Sequence, residues 1–99
     1  MNRDNIIKME NILDEANKII RETEKKLEEL KKMQNKINEL NKYYGSKEWF
    51  EDKKNYENKK IKNIKAGVLS EDAVYDLLEK NKQLAITLLE TGTNLIKNN

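Results

Sequence analysis

The sequence contains no cysteine and no histidine, and these absences remove much of the chemistry that side chains perform. Without cysteine the chain forms no disulfide and offers no thiolate nucleophile. Without histidine it lacks the commonest general base and the commonest metal ligand. Gly-rich phosphate loops and the G-x-S-x-G elbow are missing too. We therefore predict a protein that is not an enzyme and holds no cofactor or metal ion.

Proline is also absent, there are only three glycines, and no apolar run approaches the roughly 20 residues of a membrane-spanning helix. A chain without helix breakers that is rich in Lys, Glu, Leu and Ile favours helix over sheet. The first residues lead into an amphipathic pattern and not into a signal-peptide core. We expect a soluble, cytoplasmic, all-α protein with no membrane contact.

The charges are many but balanced, with 20 basic and 18 acidic groups in 99 residues and a net charge of +2. Such a composition would indicate disorder if the apolar residues were scattered. The small net charge does not by itself imply binding to nucleic acid or membranes. Fold and function must therefore be read from the pattern of the residues.

Apolar residues in the first half recur at alternating steps of three and four, which is the spacing of one helix face. The row is Ile6, Met9, Leu13, Ala16, Ile20, Thr23, Leu27, Leu30, Gln34, Ile37, Asn41 and Tyr44, and Ile12, Ile19, Met33 and Leu40 flank it. This pattern predicts a helix over residues 4–44, with Asp4 as its N-cap and Gly45 as its left-handed end. Gln34 and Asn41 interrupt the row, so it is not a strict coiled-coil seam.

The rest of the chain predicts two more helices. Ser46 is suited to cap a short helix over 46–57. A basic connector follows over 58–69, which we expect Ile61 and Ile64 to hold against the core. Ser70 is suited to cap a last helix over 70–97, whose apolar row again alternates three and four from Val74 to Leu95.

These elements predict a single domain over residues 1–99, a small helical bundle in which the long N-terminal helix lies antiparallel to the C-terminal helix. The first helix would be roughly 60 Å long and the last roughly 40 Å. Part of the first apolar row therefore needs a second cover. The middle segment would cover it, the first helix would break, or a second subunit would cover it. A homodimer is therefore one of three predicted alternatives.

Two stretches resemble a small bacterial family known only as domain of unknown function 4298. They are Tyr-Tyr-Gly-Ser-Lys-Glu-Trp at 43–49 and Gly-Val-Leu-Ser-Glu-Asp at 67–72, with Asp52 between them. Their order and separation match, and the resemblance covers essentially the whole chain. It implies a compact helical protein of about this length, and the family has no activity to carry over.

The aromatic residues of the first motif have two interpretations. In one, Gly45 and Ser46 form the turn, and Tyr44 packs with the tryptophan to anchor the core. In the other, an exposed aromatic cluster binds a partner protein, because Trp and Tyr are enriched at interface hot spots. The candidate protein-binding residues are Tyr43, Trp49, Phe50 and Tyr56.

Charged residues offer two further candidate surfaces. The candidate basic patch is Lys53, Lys54, Lys59, Lys60, Lys62 and Lys65. It would contact phosphates or face the acidic residues of the last helix, but it has no arginine for base readout. Glu71, Asp72 and Asp76 start the last helix, where the helix dipole favours anions. Their alternative is an acidic surface, although their spacing does not fit a calcium loop.

Two functions fit these residues. The first is a non-catalytic helical module that binds a protein partner. The second is an inhibitor or regulator, encoded by a phage or mobile element, that binds a nucleic-acid-processing defence complex through the basic connector.

Overall fold

The chain forms three α-helices and one short 3₁₀ helix in the computed structural model, which describes residues 2–98. Helix α1 spans Arg3–Tyr43, α2 spans Lys47–Glu57 and α3 spans Ala73–Lys97, while the 3₁₀ helix covers Gly67–Leu69. No strand occurs among the described residues. The all-α class with two long helices and a short middle helix is therefore confirmed.

The chain divides into two compact units between Lys36 and Ile37, although α1 continues through the division. The predicted single domain over 1–99 stays a prediction, and its ends, Met1 and Asn99, lie outside the described residues.

The start of α1 is capped two residues earlier than we predicted. The Asn2 Oδ1 accepts a hydrogen bond from the backbone N–H of Asn5 at 3.0 Å. This is the bond that an N-cap side chain makes, since it satisfies an N–H with no partner inside the helix. Asp4 lies in the first turn instead, where its negative charge still suits the helix dipole. The prediction of Asp4 as N-cap was wrong.

The apolar row on the N-terminal part of α1 lies open to solvent in the single chain. We call Ile6, Met9, Leu13, Ala16, Ile20, Thr23, Leu27 and Leu30 the α1 stripe. Its large members Ile6, Leu13 and Ile20 are 55%, 53% and 57% exposed, and the flanking Ile12, Ile19 and Met33 are exposed to a similar extent. Leu30 is half-buried. The burial that we predicted for this row is therefore absent.

The second unit has a small core made of four side chains from different elements. Ile37 of α1, Trp49 of α2, Leu69 of the 3₁₀ helix and Val74 of α3 are the buried hydrophobic residues among those described. Val74 is fully buried, whereas Leu84, Leu88 and Leu95 farther along α3 are 39–60% exposed. Large apolar side chains of both predicted rows are thus exposed in the single chain, and the antiparallel pairing of the long helices stays a prediction.

Helix α2 ends in a Schellman motif, and its left-handed residue is a lysine. The backbone N–H of Lys60 donates to the carbonyl of Asn55, and that of Lys59 donates to Tyr56. Lys59 has a φ of 60°. Glycine usually occupies this left-handed conformation because a Cβ atom is disfavoured there. The connector that follows is irregular up to the 3₁₀ helix. Ile61 is half-buried, but Ile64 is 56% exposed, so the predicted anchoring by Ile64 was wrong.

Helix α3 begins later than we predicted, although Ser70 makes the predicted capping bond. The Ser70 Oγ accepts from the backbone N–H of Ala73 at 3.2 Å, which is the predicted capping bond. The same hydroxyl donates to the carbonyl of Gly67 at 2.9 Å. Residues 71–72 form a turn and the regular helix begins at Ala73, three residues later than predicted.

Candidate functional site

The junction between α1 and α2 is built by Gly45 and Ser46. Gly45 has a φ of +76°, the left-handed conformation that we predicted for the end of the first helix. Ser46 follows in extended conformation, and its Oγ accepts from the backbone N–H of Trp49 at 3.2 Å. Both local predictions are confirmed. The tight turn brings Trp49 back toward the end of α1 within one helical turn.

Trp49 joins the two motifs of the sequence. Its side chain is 3% exposed, and its Nε1 donates to the backbone carbonyl of Val68 at 2.9 Å. The ring of Tyr44 meets the indole edge to face, with centroids 5.3 Å apart. A buried indole needs a partner for its N–H, and here the segment before α3 supplies it. The first motif is therefore fixed to the second at this residue.

Two further contacts reach Glu71 in the second motif. The Tyr44 hydroxyl donates to the backbone carbonyl of Glu71 at 2.5 Å. The Lys53 Nζ lies 3.2 Å from the Glu71 Oε1 and 5.2 Å from the centre of the Trp49 ring. We call Tyr43, Tyr44, Trp49, Lys53, Val68 and Glu71 the motif corner. In it, residues far apart in the chain form one hydrogen-bonded cluster.

Tyr43 has an altered acidity within this corner. Its hydroxyl donates to the Asp52 Oδ2 at 2.6 Å. Removal of the phenol from water and the bond to the carboxylate of Asp52 together raise the pKa of Tyr43 to about 12. The phenol therefore stays protonated at physiological pH and acts as a hydrogen-bond donor. Its role here is to tie the last turn of α1 to α2.

Comparison with known protein families identifies the chain. A family model described as Domain of unknown function (DUF4298) matches residues 6–91. The chain belongs to this family. The match includes both motifs and the α1 stripe, so the motif corner and the stripe lie within the family domain. Searches of curated proteins and of solved structures gave no significant match.

The structure separates the four candidate aromatic residues of this family member. Trp49 is buried and Tyr43 is half-buried, so both serve the corner itself. Phe50 is 59% exposed and Tyr56 is 40% exposed. Phe50 packs edge to face on Trp49, with centroids 4.9 Å apart, and covers the corner from outside. Protein binding by these aromatic residues stays a prediction, and Phe50 and Tyr56 are the two that a partner could reach.

The lysines of the candidate basic patch also divide into two groups. Lys53 is half-buried, and its amine pairs with Glu71 and contacts the face of the Trp49 ring. The other five are exposed on the end of α2 and the connector: Lys54, Lys59, Lys60, Lys62 and Lys65. An open groove beside them is lined by Tyr56, Ile61 and Lys62, among others. This surface is basic and irregular, and one aromatic ring lies at its edge.

The acidic residues at the start of α3 belong partly to the corner. Glu71 pairs with Lys53, as expected if the lysines of the middle segment face acids of the last helix. The Glu71 carboxylate is 79% exposed, so this ion pair contributes little stability by itself. Within residues 2–98 no three acidic side chains come together as a metal site would require. Nor is any helix of the described chain long and apolar enough to cross a membrane.

Sequence reasoning missed the partners in the corner, although it named most of the residues. Asp52 stood between the motifs without a role, and the structure makes it the acceptor for Tyr43. Val68 contributes the backbone carbonyl that accepts from Trp49, and a side-chain pattern cannot predict a backbone acceptor. The opposite charges of Lys53 and Glu71 were the one available signal for a contact across 18 residues.

Proposed function

We propose that this protein is a non-catalytic helical interaction module whose binding surface is the α1 stripe. The single observation that carries the proposal is the exposure of this stripe. Large apolar side chains that are about half exposed recur along five turns or more of one helix face. Scattered exposed apolar residues are ordinary, but a continuous apolar face marks an interaction surface.

The spacing of the stripe specifies the kind of partner. Side chains at steps of three and four form ridges that fit the grooves of another helix. The remaining faces of α1 carry Lys, Glu and Asn, which keep the rest of the helix in water. The partner that fits is therefore an amphipathic helix with its own apolar face. Because these side chains are already about half covered, covering the rest of one leucine or isoleucine of the stripe would contribute about 1 kcal/mol.

The motif corner supports a structural role and not a catalytic one. The hydroxyl groups of Tyr43 and Tyr44 are both hydrogen-bonded within the protein, and the amine of Lys53 is paired with Glu71. These hydrogen bonds and this ion pair hold the end of α1 against α2 and the segment before α3. The corner holds the end of α1 in place, and the stripe is available for binding.

Affinity capture from a lysate of the native host tests the proposal. The bait proteins are the wild type, a Leu13→Gln/Ile20→Gln variant and a control Lys18→Gln/Lys25→Gln variant. Glutamine keeps helix propensity, and the control pair has the same spacing on the opposite face. We expect captured proteins to be lost with the first variant and kept with the control. Equal capture by all three would refute the stripe as the binding surface.

A Phe50→Ser bait in the same capture tests the aromatic alternative. Phe50 is exposed, so its replacement should leave the fold intact, as circular dichroism can check. Loss of capture with Phe50→Ser, together with retention by the stripe variant, would assign binding to the aromatic side of the corner.

A second candidate function is binding to a nucleic-acid-processing complex through the basic connector. The observation that favours it is Lys59, which carries a positive charge in a backbone conformation where glycine is less strained. Charge reversal of Lys59, Lys60 and Lys62 to Glu would abolish this binding and leave capture through the stripe unchanged. Retained binding to the complex after that reversal would exclude the connector.

A further inference from the structure

We propose that the α1 stripe binds a second copy of itself, as an antiparallel helix pair centred between Arg21 and Glu22. This inference rests on the proposed function and names the partner. Stripe residues of one copy then meet stripe residues of the other copy across a two-fold axis. Leu13 lies opposite Leu30 of the second copy, Ala16 opposite Leu27, and Ile20 opposite Thr23.

The apolar layers of this pairing are matched in size. The small Ala16 faces the large Leu27, and Thr23 faces the branched Ile20, so large side chains do not meet at the centre. The Thr23 hydroxyl donates to the carbonyl of Ile19 at 2.7 Å, which satisfies its polar group within its own helix. Each contact occurs twice because the axis repeats it. The flanking Ile12 and Met33 also face each other in this register.

The charges beside the stripe favour the antiparallel direction. In the seven-residue repeat set by Ile6 and Met9, Glu10 and Lys31 occupy the same flanking position. An antiparallel pair in this register brings Glu10 of one copy to Lys31 of the other, twice per dimer. A parallel pair would place Lys26 against Lys31 instead. Flanking charges of this kind set the orientation and register of paired helices.

Both residues are available for this contact. The Lys31 Nζ is 3.6 Å from the Glu28 Oε2 in the same helix, but its side chain is 76% exposed. Such an exposed pair between neighbouring turns is weak and can exchange for another. Glu10 is exposed as well.

Sedimentation of the purified full-length protein over a wide concentration range is the first test. We expect a monomer–dimer equilibrium in the wild type. Leu13→Gln/Ile20→Gln should weaken the dimer at least a hundredfold, since four apolar contacts are lost per dimer. The Lys18→Gln/Lys25→Gln control should leave it unchanged. A wild-type monomer up to about 1 mM overturns the inference, and so does a dimer that the stripe variant retains.

Charge exchange tests the register. Glu10→Lys and Lys31→Glu should each weaken the dimer about tenfold, because each creates two like-charge contacts. The double variant restores the pairs with reversed sign and should regain most of the wild-type affinity. Glu15→Lys/Lys36→Glu has the same spacing on an outer position and serves as the control. Failure of the double variant to recover affinity overturns the proposed register.

Spin labels test the direction. Because the chain has no cysteine, single labels can be placed by Lys8→Cys and Arg21→Cys. An antiparallel dimer places the two Lys8 labels about 40 Å apart along the axis and the two Arg21 labels side by side. A parallel dimer gives short distances at both positions and overturns the proposal.

Failure of this inference can be told apart from failure of the proposed function. A monomer whose capture of other proteins still depends on the stripe overturns the self-pairing and leaves the interaction module standing. A monomer without stripe-dependent capture overturns both.

Discussion

Single residues in the motif corner illustrate how buried polar groups obtain their partners. Trp49 donates to a backbone carbonyl 19 residues away, and Tyr44 donates to one 27 residues away. Leaving the buried N–H of Trp49 without a partner would cost about 1–3 kcal/mol, so this bond favours one arrangement of the corner. The motif residues were visible in the sequence, whereas their acceptors were not.

Tyr43 should titrate later than an ordinary tyrosine. Its pKa is raised to about 12 by removal from water and by its bond to Asp52, against an ordinary value of 10. The neutral phenol is favoured in the folded state, so this contribution to stability is present below pH 10 and is lost as the pH rises through about 12. Absorbance of tyrosinate should show an ionisation step near pH 12.

Two variants verify that assignment. Tyr43→Phe should remove the late ionisation step, whereas Tyr56→Phe should keep it. If Tyr43→Phe leaves the late step in place, the raised pKa belongs to another group.

At the scale of the elements, the helix ends are encoded by their nearest residues. Gly45 and Ser46 act through their own backbone conformation and one bond over three residues, so the sequence predicted them correctly. The start of α3 is less regular because the Ser70 hydroxyl bonds both Gly67 and Ala73. That double use holds residues 71–72 in a turn, where Glu71 reaches the corner, and local propensity could not anticipate it.

The glycines should respond in opposite ways to alanine. Gly45 has a positive φ and open space around its Cα, so Gly45→Ala meets no neighbour but suffers backbone strain of about 1–2 kcal/mol. Gly92 lies within α3, also in open space, so Gly92→Ala should raise the free energy of unfolding by about 0.5–1 kcal/mol. Urea unfolding of both variants measures the difference. A stabilising Gly45→Ala would contradict the left-handed turn.

For the whole molecule, the distribution of buried side chains predicts uneven protection. The buried hydrophobic residues described all lie at or beyond Ile37, while the stripe on residues 6–30 is largely exposed. Most helical stability in proteins comes from covering an apolar face. The self-pairing proposed above therefore predicts that residues 3–36 gain their protection from a second copy.

Hydrogen exchange at several protein concentrations measures this effect. Amides of residues 3–36 should exchange more slowly as the concentration rises, because the dimer covers the stripe. Amides near Trp49, Leu69 and Val74 should not depend on concentration. The Leu13→Gln/Ile20→Gln variant should remove the dependence. Protection of 3–36 that is constant at all concentrations would contradict an intermolecular cover.

The sequence by itself determined the helices, the turn at Gly45 and Ser46, and the family. These follow from three-four periodicity and from side chains that bond within three residues, which need no distant partner. Tertiary structure decided which apolar residues are buried and what the motif residues contact. Periodicity shows which face of a helix is apolar but not what covers that face, so the sequence located the α1 stripe and left its partner open.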